Sequence, residues 1–209
     1  INNFDETADR PDSSMPHVRT DIVKYLQQSE DIHIQNLQLD YFFSPRKDLY
    51  AKFSGGILEQ MYGGLGTEFL YKPFDKNYFI GIESFYVRKR EFNQMLDFLD
   101  YKTLTSHGYF NYFFEPFDIN LNLSYGRYLA EDTGYTFDLS RKSKLGITMG
   151  FFFTRTDVSA EEFGEGSFDK GFYFAVPMDL LLGTYSTAKA NFKLRPLTRD
   201  GGQKLNIEK

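Results

Sequence analysis

Apolar and polar residues alternate with a period of two along most of the chain. The clearest segments are Leu37–Phe43, Ile119–Tyr125 and Leu145–Phe153; in the second, Ile, Leu, Leu and Tyr alternate with Asn, Asn and Ser. Successive side chains of a β-strand point to opposite faces of its sheet, so this alternation is typical of a strand with one apolar and one polar face. About ten such segments follow one another from residue 37 onward, and they predict an all-β fold.

The connectors between these segments are mostly short. PFDKN (residues 73–77) and SRKSK (residues 140–144) alternate with longer connectors near residues 91–97 and 156–167. Strands joined this directly run antiparallel, and no connector has the length and pattern of a crossover helix. The sequence therefore predicts an antiparallel up-and-down sheet of about ten or more strands, and its closed form would be a β-barrel.

The chain before the first strand has a different composition. Residues 1–18 carry Asp, Asn, Ser and two prolines, which predicts a flexible leader. Residues 19–30 place Ile22, Val23, Tyr25 and Leu26 near helical spacing behind Thr20 or Asp21 as N-cap, which predicts a short helix. Residues 31–209 are assigned to the β-barrel.

The polar side of the predicted strands is rich in Gly, Asn, Ser and Thr. Small polar residues suit the inner wall of a barrel, and Glu68 with Lys72, or Glu83 with Lys89, are candidate ion pairs across a lumen. Two folds stay open on this pattern. In an outer-membrane barrel the apolar side meets lipid, whereas in a soluble barrel or sandwich it meets a core.

Composition narrows the functional classes. Of 209 residues, 18% are aromatic, with 23 Phe and 15 Tyr but no Trp or Cys, so neither a disulfide nor a Cys-based metal site can form. A net charge of −5 gives no basic footprint for nucleic acid. No apolar run reaches the roughly 20 residues of a transmembrane helix, but barrel strands need only about 9–11.

Three stretches carry a family resemblance. They are LYAKFSGGILEQMYGGLGTEFLYKPF, the long run from YGRYLAEDTG through SAEEFGEGSFDKGFYFAVP, and RPLTRDGG. Across roughly residues 17–205 the chain resembles the C-terminal part of the YjbH family of exopolysaccharide-biosynthesis proteins, which includes the corresponding component of group 4 capsule systems.

The resemblance implies a β-barrel in the outer membrane of a Gram-negative bacterium, forming part of a longer protein. Its expected partners are outer-membrane lipid and lipopolysaccharide, the exopolysaccharide, and periplasmic and lipoprotein components of the same export system. It implies no cofactor. The expected function is exopolysaccharide or capsule assembly or export, as a scaffold or polar-walled passage. The alternatives are a surface polysaccharide-binding module without transport and an outer-membrane hydrolase.

Candidate binding residues lie in two places. The acidic, Gly-rich loop and the strand after it offer Glu165, Asp169 and Tyr173, because carboxylates and aromatic rings bind sugars through hydroxyl groups and stacking. Arg127, Arg195 and Arg199 are candidates for lipopolysaccharide or lipid headgroups. For Arg127 the alternative is a structural ion pair with Glu131 or Asp132, and for RPLTRDGG it is a turn at Gly201 and Gly202.

Catalytic chemistry has little support in the sequence. Ser106 and His107 are adjacent on a predicted strand, so their side chains point to opposite faces and cannot form one nucleophile–base pair. The three histidines show no metal-ligand spacing. The sequence predicts a protein that is not an enzyme and holds no metal.

Overall fold

A computed structural model describes residues 15–28, 33–159, 169–194 and 200–207. They form ten strands, two short helices and one 3-10 turn at Glu115–Phe117. The helices are α1 (Ile22–Gln28) and α2 (Met178–Leu182). The strands are β1 (Leu37–Arg46), β2 (Leu49–Ile57), β3 (Tyr62–Tyr71), β4 (Tyr78–Arg90), β5 (Phe98–Phe114), β6 (Ile119–Arg127), β7 (Thr133–Lys142), β8 (Thr148–Thr156), β9 (Asp169–Pro177) and β10 (Lys189–Leu194).

The ten strands make one sheet in the order of the sequence. Every neighbouring pair is antiparallel, so the predicted all-β up-and-down meander is confirmed. Closure into a barrel is not confirmed, because no ladder joins β1 to β10 within the described ranges and the sheet is open there. The outer-membrane barrel therefore stays a prediction.

Two predicted strand ends differ from the structure. The alternation suggested a strand from Leu145, but Gly146 has a φ of 81° in the turn before β8, which begins at Thr148. A left-handed backbone of this kind interrupts a strand and is easily adopted by glycine. At the other strand, Met178 continues the alternation of β9 in the sequence but begins α2 instead, since Pro177 ends the strand.

The sheet exposes its apolar face and buries its polar face, which is the reverse of the arrangement in a soluble protein. The apolar face, which includes Leu39, Ile82, Tyr125 and Phe172, is exposed; Leu39 is 79% exposed. The polar face includes Lys52, Thr105, His107, Ser124 and Thr154, all buried. An extended exposed apolar surface on a soluble monomer is unusual, so this face requires a partner phase or partner molecule.

The apolar core lies at one end of the sheet, on its polar face. We call this the α1 end, since α1 packs there with the turns at residues 58–61, 91–97 and 128–132. The core unites residues from α1, β3, β4 and these turns with Leu205 and Ile207. Its buried members are Val18, Tyr25, Leu58, Met61, Tyr62, Phe85, Val87, Leu129 and Ala130.

The predicted short helix is present as α1, within residues 22–28. It begins behind Asp21, whose carbonyl accepts from the Lys24 amide at 2.9 Å. Tyr25 fixes the helix to the sheet: its hydroxyl donates to the Arg90 carbonyl, and its own carbonyl accepts from Gln94 Nε2 at 2.9 Å.

The predicted domain boundaries stay predictions, although Val18, assigned to the leader, is fully buried. Within the described residues, no helix is both long and apolar enough to cross a membrane.

Acid is expected to weaken the docking of α1 through Asp21. Burial alone would raise the pKa of this carboxyl, but hydrogen-bonded ion pairs with Lys24, at 2.8 Å, and with Lys89 outweigh burial and lower it from 3.8. A lowered folded-state pKa means that the pairs stabilise the fold above about pH 4, and that this stabilisation is lost as the pH falls through the lowered value.

Denaturant titrations in detergent between about pH 6 and pH 3 would measure this effect as a fall in the free energy of unfolding. Asp21→Asn should be less stable at neutral pH and should show a shallower fall. If the free energy of unfolding fell equally with pH in the wild type and in Asp21→Asn, the proposed role of Asp21 would be contradicted.

Candidate functional site

On the polar face, four glycines of the sheet pair directly with a Phe or Tyr of a neighbouring strand. The pairs are Gly66 with Phe85, Gly81 with Tyr109, Gly150 with Tyr173, and Gly171 with Phe152. Each ring lies over its glycine: a Cβ on Gly81 would come within 2.3 Å of Tyr109 Cζ. Only glycine leaves this space, so the rings can lie flat along the polar face.

Tyr109 uses its glycine to reach a carboxylate two strands away. From β5 its ring crosses Gly81 on β4, and its hydroxyl donates to Glu68 Oε1 on β3 at 2.7 Å. Glu68 Oε2 also lies 3.1 Å from Nζ of Lys52 on β2. A tyrosine, a carboxylate and an ammonium group from three strands are thus held together on the polar face.

Tyr173 repeats this geometry four strands further on. Its ring crosses Gly150 on β8, and its hydroxyl donates to Asp138 Oδ1 on β7 at 2.8 Å. In both copies the carboxylate stands two positions before the residue that pairs with the glycine, which is Leu70 in one and Ser140 in the other. The polar face therefore carries two equivalent tyrosine–carboxylate units.

A cavity of about 470 Å³ opens beside the first unit, between β3–β6 and the C-terminal segment. His107 lies in its wall, with Nδ1 3.7 Å from Glu83 Oε1. Lys204 Nζ lies 3.9 Å from the same Glu83 oxygen and donates to Ser124 Oγ at 2.9 Å. The lining combines apolar rings, acids, bases and an amide: Glu68, Leu70, Phe79, Glu83, Phe85, Thr105, His107, Tyr109, Asn122, Lys204, Leu205 and Ile207.

Residues 200–207, here called the C-terminal strap, lie across the polar face. Gly202 N donates to Asp132 Oδ2 at 2.7 Å, and the Leu129 amide donates to the Gln203 carbonyl at 3.0 Å. Burial raises the pKa of Asp132, and the Gly202 bond opposes it. Further along, the Asn206 amide donates to Glu59 Oε2 at 2.7 Å. The strap is therefore attached to turns at several points of the α1 end.

The structure places some predicted site residues. Tyr173 lies in the second tyrosine–carboxylate unit. Asp169 lies four residues earlier on the same face of β9, buried, and accepts from Gln203 Nε2 at 3.3 Å. Glu165, Arg195 and Arg199 lie outside the described residues, so the polysaccharide and headgroup assignments stay predictions.

Arg127 makes an ion pair with Glu131, with Nη2 3.0 Å from Oε1. The structural pairing considered for it therefore exists. Its side chain remains 43% exposed on the apolar face, and the predicted headgroup contact is untested. The turn considered for RPLTRDGG is present at Gly201 and Gly202, where Gly202 has a φ of 67°.

Two ion pairs expected across a lumen are wrong in their partners. Glu68 pairs with Lys52 rather than Lys72, and Lys89 pairs with Asp21 rather than Glu83. Four or six residues of extended chain separate the expected partners by more than about 10 Å, whereas strand register and the packing of α1 bring the observed partners together. Ser106 is exposed and His107 buried, as their opposite faces require. Among the described residues no three His, Asp or Glu side chains form a metal-binding group.

Sequence reasoning missed Tyr109, His107 and Lys204 as members of one cavity. A glycine opposite a tyrosine becomes visible only when the strands are aligned in register. Glycines at polar positions of alternating segments were the available signal, because such positions weaken a strand unless a neighbour covers them.

The fold and the site define a class of protein: an all-β meander with an exposed apolar face and a polar face bearing tyrosine–carboxylate units. The chain belongs to the YjbH family, whose model, described as "Exopolysaccharide biosynthesis protein YbjH", matches residues 1–209. The family relates the chain to exopolysaccharide biosynthesis.

A relative in Escherichia coli (strain K12), named "Uncharacterized lipoprotein YjbH", is 39% identical over 212 residues. The match covers 98% of this chain but 30% of the relative, so the chain spans less than a third of that protein's length. No solved structure was found to match the chain.

Proposed function

We propose that this chain is a membrane-embedded β-sheet domain of the Gram-negative outer membrane that serves exopolysaccharide or capsule assembly or export. It acts as a scaffold whose polar face contacts polymer, and it catalyses no reaction. The observation that carries the proposal is the exposed apolar face opposite a buried polar face. A lipid phase is matched to an apolar surface that spans every strand of a sheet.

The dimensions of the apolar face support embedding. On β4 this face runs from Tyr78 through Ile80, Ile82 and Ser84 to Tyr86. The eight residue steps from Tyr78 to Tyr86 extend about 26 Å along the strand. Outer-membrane barrels carry an apolar band about 25 Å tall between aromatic girdles, and tyrosines mark both ends here.

Cations follow the aromatic residues on the same face, toward the α1 end. Arg88 on β4 pairs with Lys102 on β5, one alternation beyond Tyr86 and Leu104. Arg127 follows Tyr125 on β6 in the same way. In the part of the chain that the structure describes, these cations are Arg88, Lys102, Arg127, Arg155 and Lys170. Such positions suit phosphate groups of lipopolysaccharide or phospholipid, as proposed for Arg127.

The C-terminal strap favours a scaffold over an open passage. It crosses the polar face and is bound at Glu59, Asp132 and Ser124. Free movement of a polymer along this face would require the strap to leave. A polysaccharide-binding module without transport is therefore the second candidate function.

Three further supports concern location, partners and chemistry. The relative's name makes it a lipoprotein, which favours an envelope location. Polysaccharide-export machinery works as an assembly, so periplasmic and lipoprotein components are the proposed partners. Ser106 and His107 on opposite faces favour a non-catalytic role.

A charge placed at mid-height on the apolar face should destabilise the protein according to depth. Ile82→Arg, at the centre of the apolar band between Tyr78 and Tyr86, is expected to lower the free energy of unfolding in lipid by about 2–4 kcal/mol. Tyr86→Arg, near the end of the band, should lower it by about 0–1 kcal/mol. Both residues are about half exposed, at 56% and 49%, so exposure is matched between the variants.

Denaturant titration of the protein in lipid vesicles measures the difference, and heat-modifiable gel migration reports folding. In water both substitutions would change stability by no more than about 0.5 kcal/mol. The proposed embedding would be overturned if the two substitutions lowered the free energy of unfolding by equal, small amounts. It would also be overturned if the protein were monodisperse in detergent-free buffer. Restoration of secreted polysaccharide in a deletion strain by the wild type, but not by Ile82→Arg, tests the biological role.

A further inference from the structure

The cavity beside Tyr109 has the composition of a carbohydrate site. The Tyr109 ring packs one side on Gly81, and the ring lines the cavity. Phe79 meets Tyr109 edge-on at 6.2 Å and holds its orientation. A flat ring fixed from behind offers a surface for the C–H face of a pyranose, which is the apolar part of a sugar.

Hydrogen-bonding groups surround this ring. Glu68 and Glu83 provide acceptors, and Asn122 provides a donor and an acceptor. Nε2 of His107, itself 3% exposed, has no hydrogen-bond partner among the described residues. Buried polar atoms are nearly always paired, so an unpaired imidazole nitrogen marks this wall of the cavity as incompletely satisfied by the described residues.

We propose that this cavity is a binding subsite for a neutral, hydroxyl-rich pyranose unit of a polysaccharide. The sugar stacks on Tyr109, and its hydroxyls donate to Glu68 and Glu83. The volume of about 470 Å³ lies within the range of about 300–1,000 Å³ typical of small-ligand pockets. The inference rests on the proposed function for its polymer class, but not on membrane embedding.

Charge selects among sugars. Each carboxylate of the cavity wall has a lysine beside it: Lys52 Nζ lies 3.1 Å from Glu68, and Lys204 Nζ lies 3.9 Å from Glu83. A uronic acid would have to compete with these carboxylates for the same lysines, so a neutral sugar suits the site better. The Tyr173–Asp138 unit gives the same stacking geometry on β7–β9, so the polar face offers a second platform for a further unit of the chain.

Calorimetric titration of the intact protein, with its natural flanking sequence, tests the subsite. The detergent should be lauryldimethylamine oxide, because alkyl maltosides would themselves occupy a sugar site. The probes are maltotetraose, cellotetraose and chitotetraose, with tetragalacturonate as the anionic counterpart. At least one neutral probe should bind, and it should bind more tightly than tetragalacturonate.

Variants locate the binding. Tyr109→Ala should weaken it about tenfold, whereas Tyr109→Phe, which keeps the ring, should weaken it no more than about threefold. Glu83→Gln leaves the ring packing unchanged and should weaken it about threefold or more, so it decides the question if Tyr109→Ala does not fold. Tyr125→Ala, on the opposite face, is the matched control and should bind as the wild type does.

The inference is overturned if no neutral probe binds, or if binding survives both Tyr109→Ala and Glu83→Gln. Because the Ile82→Arg comparison tests embedding separately, the two failures are distinguishable. An embedded protein without sugar binding would retain the proposed location and lose only the subsite. A water-soluble protein that binds sugar through Tyr109 would retain the subsite.

Discussion

Replacing Asp200 by alanine is expected to release α1 and the segment before it from the sheet, lowering the free energy of unfolding by about 3–5 kcal/mol. The buried Asp200 carboxylate accepts from three consecutive amides, those of Val18, Arg19 and Thr20, at 2.8, 2.7 and 3.1 Å. It also accepts from Thr20 Oγ1 at 2.8 Å. Successive amides that converge on one anion lose a common partner when it is removed, and a buried unpaired amide is costly.

Denaturant titration in detergent measures the loss, and amide hydrogen exchange locates it. Protection should fall for residues 18–20 and 22–28 and remain in the central strands β5–β7. Asp200→Asn keeps one oxygen and should lie between the wild type and alanine. Asp179→Ala is the matched control: among the described residues this exposed carboxylate accepts only from the Leu180 amide that follows it, and its loss should cost at most about 0.5 kcal/mol. Unchanged exchange at residues 18–20 in Asp200→Ala would contradict the prediction.

The strands of this fold were predictable because alternation is a local property of the sequence. Ile119, Leu121 and Leu123 share one face of β6 wherever the neighbouring strands are placed. Short connectors then leave the antiparallel neighbour as the nearest partner, which fixes the strand order. The errors lie where backbone conformation overrides alternation, at Gly146 and at Pro177.

The candidate site depends on contacts between distant residues, which periodicity does not report. RPLTRDGG predicts a turn, and the turn exists, but Asp200 accepts hydrogen bonds from amides about 180 positions earlier in the chain. In the same way, Tyr109 reaches Glu68 because of its register with Gly81. The sequence therefore predicts which residues lie on the polar face. Strand register and the packing of residues 200–207 against the sheet determine which of these residues contact one another.

Substituting Glu59 by glutamine is expected to be as damaging as losing Asp200, at about 3–5 kcal/mol. Both oxygens of Glu59 pair with the Arg19 guanidinium, at 2.6 and 3.0 Å, and one also accepts from the Asn206 amide. Burial would lower the pKa of Arg19, but the adjacent Glu59 carboxylate more than offsets this and raises it. Glutamine preserves the shape but removes the carboxylate that forms the ion pair with the buried Arg19.

The double variant Arg19→Met/Glu59→Gln separates the ion pair from packing. Without the cation the uncompensated charge is gone, so the double variant should be more stable than Glu59→Gln alone; simple additivity would contradict this. Because Arg19 also donates to the Lys204 carbonyl at 2.8 Å, the pair joins the segment before α1, the β2–β3 turn and the C-terminal strap. Glu59→Gln should therefore raise hydrogen exchange at Asn206 and loosen the strap over the cavity. Tetrasaccharide binding in this variant should become faster, since the strap borders the cavity that contains Tyr109.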